Sequence, residues 1–330
     1  MNMNNLYFEK VNCNLCGFNG LKKIYSMPDR LYHPDQWFTV VECQSCGLGF
    51  VNPRPTFLTM PYYYPSSFYE DFERNKKFHN KRYRKEYEVF KHYIDNNDYK
   101  GKFLLDIGCA NGDFPRYMIS LGWNVEGVEI SKNSKPIYDF KVYNQEFTKI
   151  PVNYPFYDVI TAWAVLEHTH DPMSYFIKAG NLIKKGGLFV FLVTNFKSVS
   201  SRYLFREDIP RHLYFFTEET IRKYTSSVGL ELVKVDYSDS IYTMFPVNWL
   251  LYYFYRLRGK KLEYKNIPLS RGEYFLKYQL SKTIFSNFKY AAYLGKNPLN
   301  IVSMLFMPAF TKYQIWSKNY GIVTYIAKKI

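Results

Sequence analysis

The stretch Leu104-Leu-Asp-Ile-Gly-Cys-Ala-Asn-Gly112 decides the fold. Its apolar start reads as a buried strand ending at Asp106-Ile107, a glycine-bearing turn follows, and residues 113–121 read as a helix. A strand, glycine turn and helix in that order place a ligand at the carboxyl end of a parallel strand. Working outward, the alternation continues. Trp123 to Ile130, Asp158 to Trp163, Leu188 to Val193 and Leu230 to Tyr237 read as strands. Helices are expected from about Ser131, over 171–184 with an end at Gly186-Gly187, and from Thr217 to Gly229. The order predicts an α/β fold, a Rossmann-like doubly wound and mostly parallel sheet.

The glycines in the turn are spaced GxxxG, not GxGxxG, so a pyrophosphate-binding dinucleotide fold is disfavoured. Gly108 and Gly112 allow close backbone approach to a ligand. Asp106, just ahead of the turn, repels pyrophosphate and suits the cationic amino-acid end of S-adenosylmethionine. Glu129 ends the second strand, 23 residues past Asp106, where an acid accepts hydrogen bonds from ribose hydroxyls. Cys109 in the turn and Ile130 after Glu129 complete the expected cofactor contacts, with Glu146 in the loop beyond the presumed third strand placed near the adenine.

Two CxxC pairs, Cys13/Cys16 and Cys43/Cys46, are separated by 26 residues, and glycine follows each pair (Gly17, Gly47). Paired CxxC turns present four thiolates to one ion, so a structural zinc in an N-terminal zinc ribbon is expected, with no position left for a catalytic water. Residues 51–75, rich in Pro and Tyr, read as a connector without regular helix. Tyr62, Tyr63 and Tyr64 within it are placed to cover the site. Residues 76–97 read as a charged amphipathic helix.

The net charge is +15, from 44 basic and 29 acidic residues in 330. Residues 241–330 carry 14 Lys/Arg against 2 Asp/Glu, so +12 belongs to the C-terminal quarter. Aromatic residues make up 20% of the chain. Ile241 to Arg258 (IYTMFPVNWLLYYFYRLR) and Leu299 to Phe310 are aromatic or apolar, and Gly321 to Ala327 read as a last strand returning to the sheet. The expected organisation is ribbon and connector start over 1–60, the main domain over 61–240, a basic aromatic helical insertion over 241–318, and the final strand of the sheet within 319–330. The insertion reads either as a cap over substrate or as a surface in peripheral contact with an anionic membrane. Nucleic acid ranks below both. Residues 1–10 lack the apolar core of a signal peptide, and no run reaches the ~18 apolar residues of a transmembrane helix. A cytoplasmic protein is expected, at most peripheral at the inner membrane face.

The segments DIGCANGDF, VEGVEIS, YDVITAWAVLEH, LIKKGGLFVFLVTN and RHLYFFTEETIRKYTSSVGLELVKV resemble successive motifs of class I S-adenosylmethionine-dependent methyltransferases, over roughly residues 100–240. The leader CNLCG…CQSCGLGFVNPRP is similar to the zinc-ribbon leader of bacterial methyltransferases in surface-polysaccharide, nucleotide-sugar or glycolipid pathways. The resemblance implies the fold, the cofactor and the reaction class. It carries Asp106, Gly108, Gly112 and Glu129 over as cofactor contacts and places Ala162 and Trp163 beside the cofactor.

Methyl transfer from a sulfonium is an in-line displacement, and an alcohol acceptor is helped by a general base. Two histidines are candidates. His168 follows Glu167 just beyond the fourth strand, and His212 lies in the loop after the fifth. Each has a structural alternative: Glu167-His168 as a pair holding the loop, His212 as a packed loop residue. The expected function is methylation of a small, lipid-linked or nucleotide-linked sugar, as O-methylation. The alternatives are methylation of RNA or another macromolecule docked on the ribbon, and a non-catalytic cofactor-binding module.

Overall fold

The computed structural model describes residues 6–65, 76–94, 100–131, 139–238, 241–242, 248–269, 271–278 and 284–330. The N-terminal part holds β1 (Phe8–Glu9), β2 (Leu21–Pro28), β3 (Trp37–Cys43), β4 (Gly49–Val51) and β5 (Arg54–Pro55). Among the described residues, the connector holds β5, paired with β1, and a 3-10 turn over Met60–Tyr63. Helix α1 (Lys76–Phe90) follows and closes with a 3-10 turn over Lys91–Tyr93.

Then the alternation begins with β6 (Phe103–Ile107), α2 (Asp113–Ser120), β7 (Asn124–Val128) and β8 (Lys141–Tyr143). It continues through β9 (Tyr157–Trp163), α3 (Pro172–Leu182), β10 (Ile183–Thr194), α4 (Val199–Tyr203), β11 (Tyr214–Phe215), α5 (Glu218–Ser227) and β12 (Leu230–Asp236). The remainder of the connector, at 66–75, and the helix expected from about Ser131 lie outside the described residues.

Local chemistry sets these boundaries. Asp171 accepts the Ser174 amide at 3.2 Å, and Pro172 follows it, so α3 starts with a side-chain cap and a proline at its first position. Thr217 and Thr220 form a reciprocal capping box for α5. One boundary differs from the sequence expectation: α3 ends at Leu182, not at Gly186-Gly187. Ile183 passes directly into β10, whose pairing with β9 shifts register between Ile183 and Leu188. The glycines serve that irregularity. A Cβ at Gly187 would lie 2.8 Å from the Asp158 carbonyl oxygen and 2.8 Å from Ile183 Cγ2.

The main sheet has seven strands in the order β12, then β13 (Ile322–Lys329), then β10-β9-β6-β7-β8. The pairs β10/β9, β9/β6, β6/β7 and β7/β8 are parallel. β13 runs antiparallel to both neighbours, β10 and β12. Phe189, Val190, Phe191 and Val193 in β10 are fully buried, as an unbroken apolar strand covered on both faces should be. The chain enters the sheet at β6, builds one side through β7 and β8, and returns to β9 on the other. The crevice therefore opens at the carboxyl ends of β6 and β9.

Two features position the rest. The ribbon sheet has the order β11-β4-β3-β2, so its fourth strand comes from the loop that follows β10. Between β12 and β13 lie α6 (Trp249–Leu257), α7 (Arg271–Lys277), α8 (Ile284–Gly295), α9 (Pro298–Leu305) and α10 (Met307–Trp316). Aromatic stacking ties them together and to the main domain: Trp249 on Phe310 at 4.1 Å, Tyr252 on Tyr203 at 4.6 Å.

Candidate cofactor and acceptor site

Register places Asp106 in β6 opposite Thr161 in β9, and the Thr161 hydroxyl donates to Asp106 Oδ1 at 2.6 Å. Asp106 is buried, and burial raises its carboxyl well above the usual range. Gly108 sits at φ +71°, and a Cβ there would lie 2.7 Å from Val165 Cγ2, so only glycine fits the turn. Glu129 also stays buried, and burial raises its carboxyl. One oxygen accepts the Ala110 amide at 3.0 Å, the other the Ser131 amide at 2.7 Å. Glu129 thereby holds the glycine turn after β6, which includes the buried Cys109, and keeps lone pairs for hydroxyl donors.

Helix α1 contributes residues that the sequence reading missed. Glu86 is fully buried, and burial pushes its carboxyl up to about 7. Arg82 Nε lies 2.8 Å from Glu86 Oε1, close enough for an ion pair but misaligned for a hydrogen bond. Both Glu86 oxygens therefore lack a hydrogen-bond donor among the described residues. Arg82 bonds the Tyr242 hydroxyl, and Tyr83 donates to Asp113 Oδ2 at 3.0 Å. Asp106 feels the charges of Glu86, Arg82 and Glu129. Glu86 and Asp106 thus share one guanidinium, and Glu129 adds a third buried carboxyl whose charge reaches Asp106. The i,i+4 spacing of Arg82 and Glu86 was the only signal in sequence, and it is shared by many surface helices.

The other expected contacts fall as follows. Gly112 precedes α2 as its N-cap residue. Ile130 is exposed beside Glu129. Ala162 is fully buried within β9, and Trp163 ends that strand, edge-to-face with Phe114 and with Nε1 unpartnered among the described residues. Glu146 precedes a 3-10 turn, and its carboxylate pairs with Lys149 Nζ at 2.9 Å rather than facing the crevice unpaired.

Glu167, His168 and His212 come together, with one ligand atom of each within 4.8 Å of the others. The imidazoles meet nearly perpendicular with centroids 4.7 Å apart. His168 Nδ1 lies 3.0 Å from the Arg211 carbonyl oxygen and 3.0 Å from the Tyr64 hydroxyl, which the connector supplies. His212 Nδ1 lies 2.6 Å from Glu207 Oε2. Burial pushes Glu167 up to about 7 and His168 down to about 3. For His212, burial works to lower the value, but the Glu207 carboxylate outweighs it and holds the ring at about 9.

The four cysteines also converge. Cys13 and Cys46 Sγ are 3.3 Å apart, Cys16 and Cys43 Sγ 3.6 Å, and all four lie within 4.8 Å of one another. Tetrahedral zinc at ~2.3 Å from each sulfur sets sulfur–sulfur edges of ~3.8 Å, so the donor set fits that ion. The two turns share one pattern: Gly17 donates to the Cys13 carbonyl at 2.8 Å, and Gly47 to the Cys43 carbonyl at 2.9 Å.

Residues 76–235 match the family model described as a methyltransferase domain. Over these residues, just under half of the chain, the strand order is that of the class I, Rossmann-like kind of sheet. It is 30% identical over 159 residues to a ubiquinone biosynthesis O-methyltransferase of Cupriavidus pinatubonensis, covering 41% of this chain and 62% of that one. The protein of the same name from Coxiella burnetii is 28% identical over 159 residues, covering 41% and 66%. The chain spans less than two thirds of the length of these curated relatives. A solved S-adenosylmethionine-dependent methyltransferase from Clostridium acetobutylicum superposes with a TM-score of 0.43 at 15% identity, covering 78% of this chain and 98% of that one.

Proposed function

We propose that the protein transfers a methyl group from S-adenosylmethionine to a hydroxyl of a small or lipid-linked acceptor. The observation that carries this reading is a cluster of three buried carboxyls, Asp106, Glu86 and Glu129, with Arg82 paired to Glu86 and its charge felt by Asp106. Such a cluster favours a ligand bearing two positive charges and one carboxylate, which describes S-adenosylmethionine. Glu86 and Asp106 would take the ammonium end, Arg82 the carboxylate, and Glu129 the ribose hydroxyls. When bound, the cofactor supplies an activated methyl group, and the chain's task is alignment. Glu167, His168, His212 and Tyr64 would line the acceptor side, and the four cysteines would hold a structural zinc. The O-methyltransferase names of the relatives support oxygen as the acceptor atom. They are named for ubiquinone biosynthesis, and the sugar acceptor implied by the leader finds no support among them.

Calorimetry of S-adenosylmethionine with the zinc-loaded chain tests the reading. One molecule is expected to bind per chain, and Glu129→Gln to weaken it about 10–100-fold, the value of one or two charged hydrogen bonds. A folded protein that does not bind the cofactor refutes it.

Contact with an anionic membrane surface is a second proposal. Leu305 (73% exposed), Phe306 (58%) and Trp316 (80%) lie on α9, at its end and on α10, near the exposed Lys312 and Lys318. No described helix is long and apolar enough to cross a membrane. Apolar and basic groups side by side suit the interface of an acidic bilayer. Co-sedimentation with phosphatidylserine vesicles at low salt is expected, and Phe306→Glu with Trp316→Glu should abolish it. Equal sedimentation of wild type and variant removes the proposal.

A further inference from the structure

Glu167 and His168 lie in the turn Leu166–His168 that follows β9, and His212 lies just before β11. We propose that these three side chains form a second metal site, distinct from the four cysteines, for a divalent ion that accepts nitrogen and carboxylate ligands, of the Zn2+, Co2+ or Mn2+ class. The ligand atoms are within 4.8 Å of one another; Glu167 is buried and both imidazoles are partly exposed.

Hydrogen bonding prepares each ligand. Both imidazoles use Nδ1 outward: His212 toward the Glu207 carboxylate at 2.6 Å, His168 toward the Arg211 carbonyl oxygen at 3.0 Å. A carbonyl can only accept, so His168 carries its proton on Nδ1, with the Tyr64 hydroxyl also 3.0 Å from that atom. The Nε2 lone pair of His168 is then left for an ion, and at His212 an ion takes the place of the Nε2 proton. A carboxylate or carbonyl behind a ligating histidine is the usual way such rings are oriented at metal centres. Glu207 is itself held by the hydroxyls of Ser201 and Thr194. On the third side, Glu167 Oε2 is buried and has no hydrogen-bond donor among the described residues. A buried carboxylate oxygen without a donor is costly unless a cation satisfies it. Three protein ligands leave coordination positions open, unlike the closed sulfur site.

The binding of an ion stands on these contacts alone. Its use rests on the methyl-transfer reading: an open position would take the acceptor hydroxyl. The hydroxyl proton then leaves to solvent, the oxygen bonds the methyl carbon, and the breaking carbon–sulfur bond leaves its electron pair on sulfur.

The test starts from the full chain with its cysteine site filled by zinc. Co2+ is titrated by calorimetry, with metal content counted by plasma emission and folding followed by thermal melts. Wild type is expected to take one further ion per chain. Glu167→Gln, nearly isosteric, and His212→Gln, at a partly exposed ring, should lose that ion and keep the zinc. Glu207→Gln should weaken the second ion about 10–100-fold, as loss of an outer-shell partner does. Wild type that takes up no second ion, or a second ion that binds Glu167→Gln as tightly as wild type, overturns the site. S-adenosylmethionine titrated into the same samples separates the two readings. Cofactor binding without a second ion removes only the metal site, and a second ion without cofactor binding removes only the methyl-transfer reading.

Discussion

At the scale of single residues, the site depends on carboxylates kept out of water. Glu86 shows the consequence most simply. Burial holds its carboxyl up to about 7, above the ordinary 4.5. A carboxyl that holds its proton more tightly when folded stabilises the fold in acid. That contribution is complete below about 4.5 and is lost as the pH rises through about 7, a change on the order of 3 kcal/mol. Thermal melts from about pH 4.5 to about pH 7.5 should therefore show wild type falling relative to Glu86→Gln as the pH rises. Parallel curves would rule out this role for Glu86. A cationic ligand should reverse the trend, because it favours the ionised carboxylate.

At the scale of elements, one side chain joins three segments. Arg211 is fully buried and donates to Asp29 in the segment after β2 at 2.9 Å, to Asp208 at 2.6 Å and to the Tyr63 carbonyl at 3.0 Å. It thereby fixes the connector's tyrosines, including the neighbour Tyr64 that meets His168. Arg211→Met should destabilise by about 3–5 kcal/mol in denaturant unfolding, because Asp29 stays buried without its cation. A loss below about 1 kcal/mol would mean that water reaches Asp29 and that the network does not hold the connector.

At the scale of the whole molecule, the ribbon and the main domain share a sheet. β11 leaves the loop after β10 to pair with β4, and Asn14 accepts from the Tyr224 hydroxyl and donates to Asp171. Removing the zinc proposed for the cysteines should therefore lower the melting temperature of the entire chain in one transition, since a ligand bound only by the folded state stabilises whatever folds with it. Calorimetric scans with and without a strong chelator check this. Two separate transitions, only one of them shifted, would show that the ribbon unfolds independently.

The amino-acid sequence by itself determined the central sheet and the glycine turn after β6. Continuous apolar runs such as Leu188 to Val193, capping residues such as Thr217, and the spacing from Asp106 through Gly108 and Gly112 to Glu129 are local patterns, legible wherever they occur. The convergence of Glu167, His168 and His212 was half legible. The motifs marked each residue, but only folding brings position 212 back to position 167. Tertiary structure alone decided the place of Arg82 and Glu86, the grip of Arg211 on Asp29 across 182 positions, and the entry of Tyr214–Phe215 into the ribbon sheet. These depend on contacts between distant segments, whose charges look like ordinary surface charges until the chain buries them.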